Sequence, residues 1–167
     1  MPRQQRETEL EARERDLIED LYPALRRFAS TVRPPGADGN DLVQDALLRA
    51  LRRGPLTDLE HPAAYLRKII YHLAIDHTRS QARHRRALTR LGPPEPQPTA
   101  YSWDLEELRR VSPKARAALF LHTIEGRPFP EIASMLGCSQ VSARVAASRG
   151  RRQLEELLEK EVQDGTA

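Results

Sequence analysis

His61–Arg90, HPAAYLRKIIYHLAIDHTRSQARHRRALTR, decides how the chain is read. Leu66, Ile69, Ile70 and Leu73 recur at the i, i+3, i+4, i+7 spacing of a helix that buries one stripe. Pro62 fits the first helical turn, where its missing N–H costs nothing, and Pro93 and Pro94 stop the helix. At about 100° per residue, Tyr65, Lys68, His72, Asp76, Arg79, Arg83, Arg86 and Arg90 fall on a neighbouring face. That face turns strongly basic toward its C-terminal end, where only Asp76 offsets the cations. Its arginines have no carboxylate at i+4, so they repel one another unless an anion lies opposite. A plain solvated surface is the alternative, but nucleic acid is the commonest partner for such a row.

Upstream, GPLTDLEHP (Gly54–Pro62) is a loop, and DLVQDALLRALRR (Asp41–Arg53) is a second helix. Its apolar stripe is Leu42, Val43, Ala46, Leu47, Ala50 and Leu51, and its opposite face holds Asp41, Gln44, Asp45, Arg49 and Arg52. Leu48 sits among those charges. It is either an exposed leucine without consequence or the apolar centre of a small protein contact. Asp38 or Asn40 caps this helix, since a short side-chain oxygen accepts the free N–H groups of the first turn. RPPGADGN (Arg33–Asn40) is a turn by composition. From Glu9 to Val32, Leu17, Ile18, Leu21, Leu25 and Phe28 keep a helical period, while Pro23 predicts a break or a fresh start near Tyr22. One or two helices are expected there, preceded by a frayed polar segment from Met1 to about Thr8.

Downstream, LGPPEPQPTAYSWD (Leu91–Asp104) carries four prolines in close succession and reads as an extended, semi-rigid linker between two helical domains. A short helical run, Leu105–Val111, precedes a restart at Ser112-Pro113, where serine caps and proline takes the first turn. Ala117, Ala118, Phe120, Leu121 and Ile124 supply apolar surface up to the C-cap signal Glu125-Gly126.

Phe129–Leu154, FPEIASMLGCSQVSARVAASRGRRQL, has the form of a helix-turn-helix. Ala133 is small where two steeply crossing helices touch, and Gly137 is flexible at the corner. Ile132, Leu136 and Cys138 fill the inner side of the first helix and turn, and Ala143, Ala147 and Leu154 that of the second. Ser139 caps the second helix. Ser139, Gln140, Val141, Arg144, Val145 and Ser148 then face outward, with Arg149, Arg151 and Arg152 placed for phosphates. A plain helical hairpin has the same Ala-Gly spacing. Against it, no acidic residue lies between Cys138 and Gln153, and the acids resume at once afterward as EELLEKE.

Composition sets the outer bounds. The 167 residues are 31% charged and 5% aromatic, with a net charge of +3, so the basic excess matters only because it is clustered. A single cysteine, Cys138, excludes an intramolecular disulfide and a cysteine-based zinc site, and fits a reducing compartment. No apolar run approaches the roughly 20 residues needed to span a bilayer, and the N-terminal stretch lacks the apolar core of a signal peptide. A cytoplasmic protein is expected. No cofactor is implied, and His72, Asp76 and His77 lack a further ligand or nucleophile, so no catalytic site is expected.

Taken in order, these blocks resemble bacterial RNA polymerase sigma factors. DLVQDALLRALRR resembles their region 2.2, AYLRKIIYHLAIDHTRSQARHRR resembles regions 2.3 and 2.4, and LRRVSPKARAALFLHTIEGRPFPEIASMLGCSQVSARVAASRGRRQLEELL is similar to region 4. The short linker, with no region 1.1 and no full region 3, points to the extracytoplasmic-function group. The resemblance covers roughly Leu17 to Leu158. It implies an all-α fold of two small helical domains, at 9–90 and 105–160, joined by a Pro-rich linker at 91–104.

It also implies partners. Asp41, Leu42, Gln44, Asp45, Leu48 and Arg49 would bind the beta-prime clamp helices of core RNA polymerase. Tyr65, Lys68, His72, Asp76, Arg79, Arg83 and Arg86 would engage the minus-10 element and help capture an unstacked base. Ser139, Gln140, Val141, Arg144, Val145, Ser148, Arg149 and Arg151 would read the minus-35 element. The beta flap and an anti-sigma factor are further partners that the resemblance implies, for a chain that is monomeric when free. Residues that depart from the family pattern are His72 in place of asparagine, Tyr65 in place of tryptophan, and Ala143, Val145, Ala146 and Ala147 in place of larger apolar and basic residues. The alanines predict a loosely packed recognition helix that lacks a phosphate contact at 146. Two other readings fit parts of the chain: a sigma-like protein that titrates an anti-sigma factor, and an ordinary helix-turn-helix regulator.

Overall fold

The computed structural model describes the backbone of residues 3–89 and 110–164. The expected linker, Arg90 and the first part of the run Leu105–Val111 lie outside the described residues. Among those described there are six α-helices and no strand, in agreement with the all-α expectation.

Helix α1 spans Arg3–Val32 without interruption, so the break near Tyr22 does not occur, and of the expected frayed start the part from Arg3 to Thr8 is helical while Met1 and Pro2 lie outside the described residues. Pro23 costs a hydrogen bond and ring strain, about 3 kcal/mol or more. Leu25, Phe28, Ala29 and Val32 beyond it are at most 1% exposed. At about 1.5–3 kcal/mol for each large apolar side chain buried, continuing on the same axis outweighs the proline. Helix α2, Gly39–Leu51, is capped by Asp38, whose carboxylate accepts the Asn40 N–H at 2.7 Å. Between α2 and α3 the Gly54–Pro62 loop includes a 3₁₀ turn, Leu56–Asp58. Leu56 is fully buried and donates its N–H to Glu14 Oε1 at 2.6 Å, which pins the entry of the next helix to α1.

Helix α3, Pro62–Thr89, buries Leu66, Ile70 and Leu73 as its periodicity predicts. Helix α4, Pro113–Thr123, starts at the expected Ser112 cap, where Oγ accepts the Ala115 N–H at 3.3 Å. Helix α5, Phe129–Leu136, ends at Gly137 with φ 63° and ψ 43°. That left-handed conformation favours glycine and turns the chain into α6, Gln140–Asp164.

The two helical units, α1–α3 and α4–α6, are packed on one another. Their buried side chains form one continuous core, with α1 against α4 and α3 against α5. Phe28 and Phe120 meet across it with ring centroids 5.9 Å apart. Arg67 of α3, only 5% exposed, reaches Glu125 after α4 at 2.7 Å.

Candidate nucleic-acid interface

Helix α3 carries its basic face beside its core stripe because the two differ by about one residue step in phase. Lys68, His72, Asp76, Arg79, Arg83 and Arg86 are all exposed, and Tyr65 is half-buried. Among the described residues Asp76 forms no ion pair with Arg79 or His72, so it offsets the cations only through solvent. Next to His72, Tyr71 is buried, and its hydroxyl pKa is raised above 10.0 chiefly by that burial and further by neighbouring Cys138, while Arg79 opposes the shift.

The C-terminal end of α2 adds something that periodicity alone did not reveal. Arg49, Arg52 and Arg53 converge with Tyr65, Lys68 and His72 around an open notch of about 460 Å³ that no carboxylate lines. Arg53 Nη1 donates to the Tyr65 hydroxyl at 3.3 Å and holds that ring at the rim. Cations for a backbone phosphate and rings for a base are what a single-stranded nucleotide requires. The sequence signal was the run of arginines at the end of α2, but their distance from Tyr65 depends on how α2 crosses α3. Arg49 thus lies both on the outer face of α2 and at this notch.

The outer α2 face has the exposure that its periodicity predicts. Asp41, Gln44, Asp45, Leu48 and Arg49 are exposed, and Leu48 is 55% exposed amid them. Leu42, grouped with them by resemblance and placed on the apolar stripe by periodicity, is 2% exposed. It shares the buried stripe with Val43, Ala46 and Ala50, so in this arrangement it positions the face from beneath. Leu51, expected in that stripe, is 38% exposed at the helix end.

The helix-turn-helix takes the expected form. Ile132, Ala133, Leu136, Ala143 and Ala147 are buried, Leu154 is half-buried, and Ser139 Oγ accepts the Ser142 N–H at 3.1 Å. Ser139, Gln140, Val141, Arg144, Val145, Ser148, Arg149, Arg151 and Arg152 are exposed, Val141 at 73%. The Arg144 guanidinium lies 5.4 Å from the Phe129 ring centroid, and Phe129 stacks on His122. Arg152 forms an exposed ion pair with Glu156 at 3.6 Å, a contact worth little in water.

The alanine-rich sequence of α6 does not loosen it. Ala143, Ala146 and Ala147 are each at most 8% exposed, and they let α6 lie close against its neighbours. Position 146 is buried, at 8% exposed. Gly150, unremarked in the sequence, completes this surface at the crossing with α4. An apolar groove of about 430 Å³, lined by Leu119, Phe120, Ile124, Leu154 and Leu158, opens between α1, α4 and α6.

Among the described residues no cluster of His, Cys, Asp or Glu is arranged to hold a metal ion, and no helix is long and apolar enough to cross a membrane.

Comparison with known proteins bears directly on these faces. Family models for Sigma-70 region 2 and Sigma-70 region 4 match residues 17–84 and 105–154. The ECF RNA polymerase sigma factor SigJ of Mycobacterium tuberculosis is 34% identical over 152 residues, 81% of this chain and 47% of that protein. RNA polymerase sigma factor CarQ of Myxococcus xanthus is 31% identical, over 86% of this chain and 90% of that protein. The chain therefore spans about half the length of the first relative and nearly all of the second. Among solved structures, the sigma factor RpoE of Bartonella quintana, crystallised with the anti-sigma factor NepR, matches with a TM-score of 0.67 and 25% identity. That match covers 87% of this chain and 96% of RpoE. Both matched regions and their order are those of one family: the chain belongs to the RNA polymerase sigma factors, in the extracytoplasmic-function group.

Proposed function

We propose that the chain binds core RNA polymerase and directs it to a set of promoters, with no catalytic activity of its own, in the cytoplasm. The observation that carries this reading is the pairing of an exposed Leu48 amid charges on α2 with an acid-free cationic notch and basic face on α3. In this reading Asp41, Gln44, Asp45, Leu48 and Arg49 meet the beta-prime clamp helices. Tyr65, Lys68, His72, Arg79, Arg83 and Arg86 engage the minus-10 strand, with one unstacked nucleotide at the notch. The exposed residues of α6 from Ser139 to Arg151 read the minus-35 element in the major groove. The apolar groove between α4 and α6 is the surface suited to the beta flap.

An anti-sigma factor is a further partner, supported by the likeness to RpoE in a structure that also contains NepR. Run-off transcription from genomic fragments, with core polymerase in the presence and absence of the chain, tests the proposal. New specific transcripts are expected, and their aligned start sites would give both promoter elements. Core binding without any transcript would instead favour a protein that titrates an anti-sigma factor.

A further inference from the structure

Arg144, on the outer face of α6, does not hang free in solvent. Its guanidinium carbon lies over the Phe129 ring, 5.4 Å from the centroid. The Phe129 ring is itself stacked on the His122 ring, with centroids 4.3 Å apart and planes inclined by 26°. His122 Nδ1 in turn lies 3.2 Å from the Arg127 carbonyl oxygen. A carbonyl only accepts, so this ring nitrogen carries hydrogen and donates. Side chains from α4, α5 and α6 thus form one column that is footed on backbone and ends in a cation.

Local geometry brings these separate pieces of chain together. His122 belongs to the last turn of α4. Gly126, with φ 64°, reverses the chain after that helix, and the Arg127 N–H returns to the Leu121 carbonyl at 2.9 Å. Phe129 opens α5 directly after Pro128. Gly137 then turns the chain into α6, where Arg144 lies one turn beyond Gln140. His122 and Phe129 are both half-buried, whereas Arg144 is exposed.

An aromatic face and a base edge engage different parts of a guanidinium. The ring attracts its flat face through the quadrupole, whereas guanine accepts, at O6 and N7, from the N–H groups that lie in its plane. Seating on Phe129 therefore leaves the hydrogen-bonding edge available. It also restricts the side chain before DNA arrives, so less freedom is lost on binding. Among the described residues no carboxylate pairs with Arg144 to compete for that edge.

We propose that Phe129, backed by His122, is a positioning residue that holds Arg144 for one guanine in the major groove of the minus-35 element and so sets the base preference at that pair. The inference rests on the sigma reading above. Neither Phe129 nor His122 touches DNA in it, and both act through Arg144.

The test uses holoenzyme, core polymerase with the full chain, on a promoter found by run-off transcription and randomised across its minus-35 element. Base preference at each position is the readout. The wild type should favour guanine at one position, and Arg144→Ala should abolish that preference while the other positions stay as they were. Phe129→Leu keeps apolar bulk without a ring and should lower the same preference about 2- to 5-fold, the range of an exposed cation–ring contact. Phe129→Tyr retains the ring and should restore it. In an Arg144→Ala background Phe129→Leu should change nothing further, because the pair acts as a unit. His122→Ala, which alters neither α5 nor α6 in sequence, should weaken the preference in the same direction.

A Phe129→Leu loss spread evenly over all positions, or one that persists without Arg144, would mean that the ring only supports the fold and would overturn the proposal. So would an Arg144→Ala variant weakened equally on every sequence, because the guanidinium would then lie on phosphate. If Phe129→Leu loses helicity by circular dichroism, His122→Ala decides, and an unchanged preference there refutes the column. A wild type that yields no promoter refutes the sigma reading, whereas a guanine preference indifferent to both rings refutes the positioning alone.

Discussion

Gly150 of α6 lies so close to Ala115 of α4 that an added Cβ would meet the Ala115 carbonyl oxygen at 3.1 Å and its Cβ at 3.3 Å. A glycine inside a helix costs about 1 kcal/mol relative to alanine, so its presence here reflects the crossing. Because the obstructing atom is backbone, it cannot move aside as a flexible side chain would. Gly150→Val should destabilise the chain by about 2 kcal/mol through overpacking, lowering the thermal midpoint by roughly 4–8 °C. Thermal circular dichroism reads this directly, and an unchanged midpoint would show that α4 and α6 have room to separate.

Leu48 supports little of the fold, since more than half of its surface is open. Leu48→Glu should therefore leave helicity and melting unchanged. If Leu48 is the apolar centre of the polymerase contact, the same change should weaken core binding by at least about 2 kcal/mol, or roughly 30-fold. Fluorescence anisotropy with labelled protein and core polymerase measures this, and equal affinity would remove Leu48 from the interface.

Arg79 and Arg83 are exposed on α3. Replacing both with alanine should weaken promoter-DNA binding uniformly across sequences. For each phosphate that is no longer neutralised, the affinity-against-salt plot should become shallower by about 0.9 in logarithmic slope. A titration between low and moderate salt decides the matter, since a slope equal to that of the wild type means that neither arginine touches phosphate.

Tyr71 gives a pH prediction. Its pKa in the folded chain is raised above the ordinary 10.0, chiefly by burial. The protonated hydroxyl is thus favoured by folding, and its stabilising contribution is complete below pH 10 and lost as pH rises through the higher folded value. Tyr71→Phe should lessen the decline of stability in that alkaline window. Urea titrations at neutral pH and above pH 10 provide the measurement, and parallel losses in both proteins would exclude Tyr71 as a source.

The legible and illegible parts of this chain divide along a physical line. Stripes such as Leu66, Ile70 and Leu73, and caps such as Asp38, Ser112 and Ser139, depend on neighbours a few residues away, so local periodicity and turn chemistry suffice to place them. Pro23 misled because its local cost is outweighed by burial against helices that are distant in sequence. Leu42 carries two readings at once, a stripe position by periodicity and a contact position by resemblance, and its burial at 2% agrees with the first. Arg53 beside Tyr65, Gly150 beside Ala115 and Arg67 beside Glu125 depend on helix crossings, which no local pattern encodes. The expected linker carries no information on how the two units meet, whereas in the structure α1 packs against α4 and α3 against α5.

The continuous core has a thermodynamic consequence. Leu25, Phe28 and Ile70 belong to the first sigma region, and Leu121, Ile132 and Leu136 to the second, yet all share one buried cluster. Each half is part of the solvent-excluding environment of the other, so the closed chain should melt in a single calorimetric transition. A destabilising change deep in one half then lowers the population of the folded other half as well, and the two cease to be thermodynamically separate molecules joined by a tether.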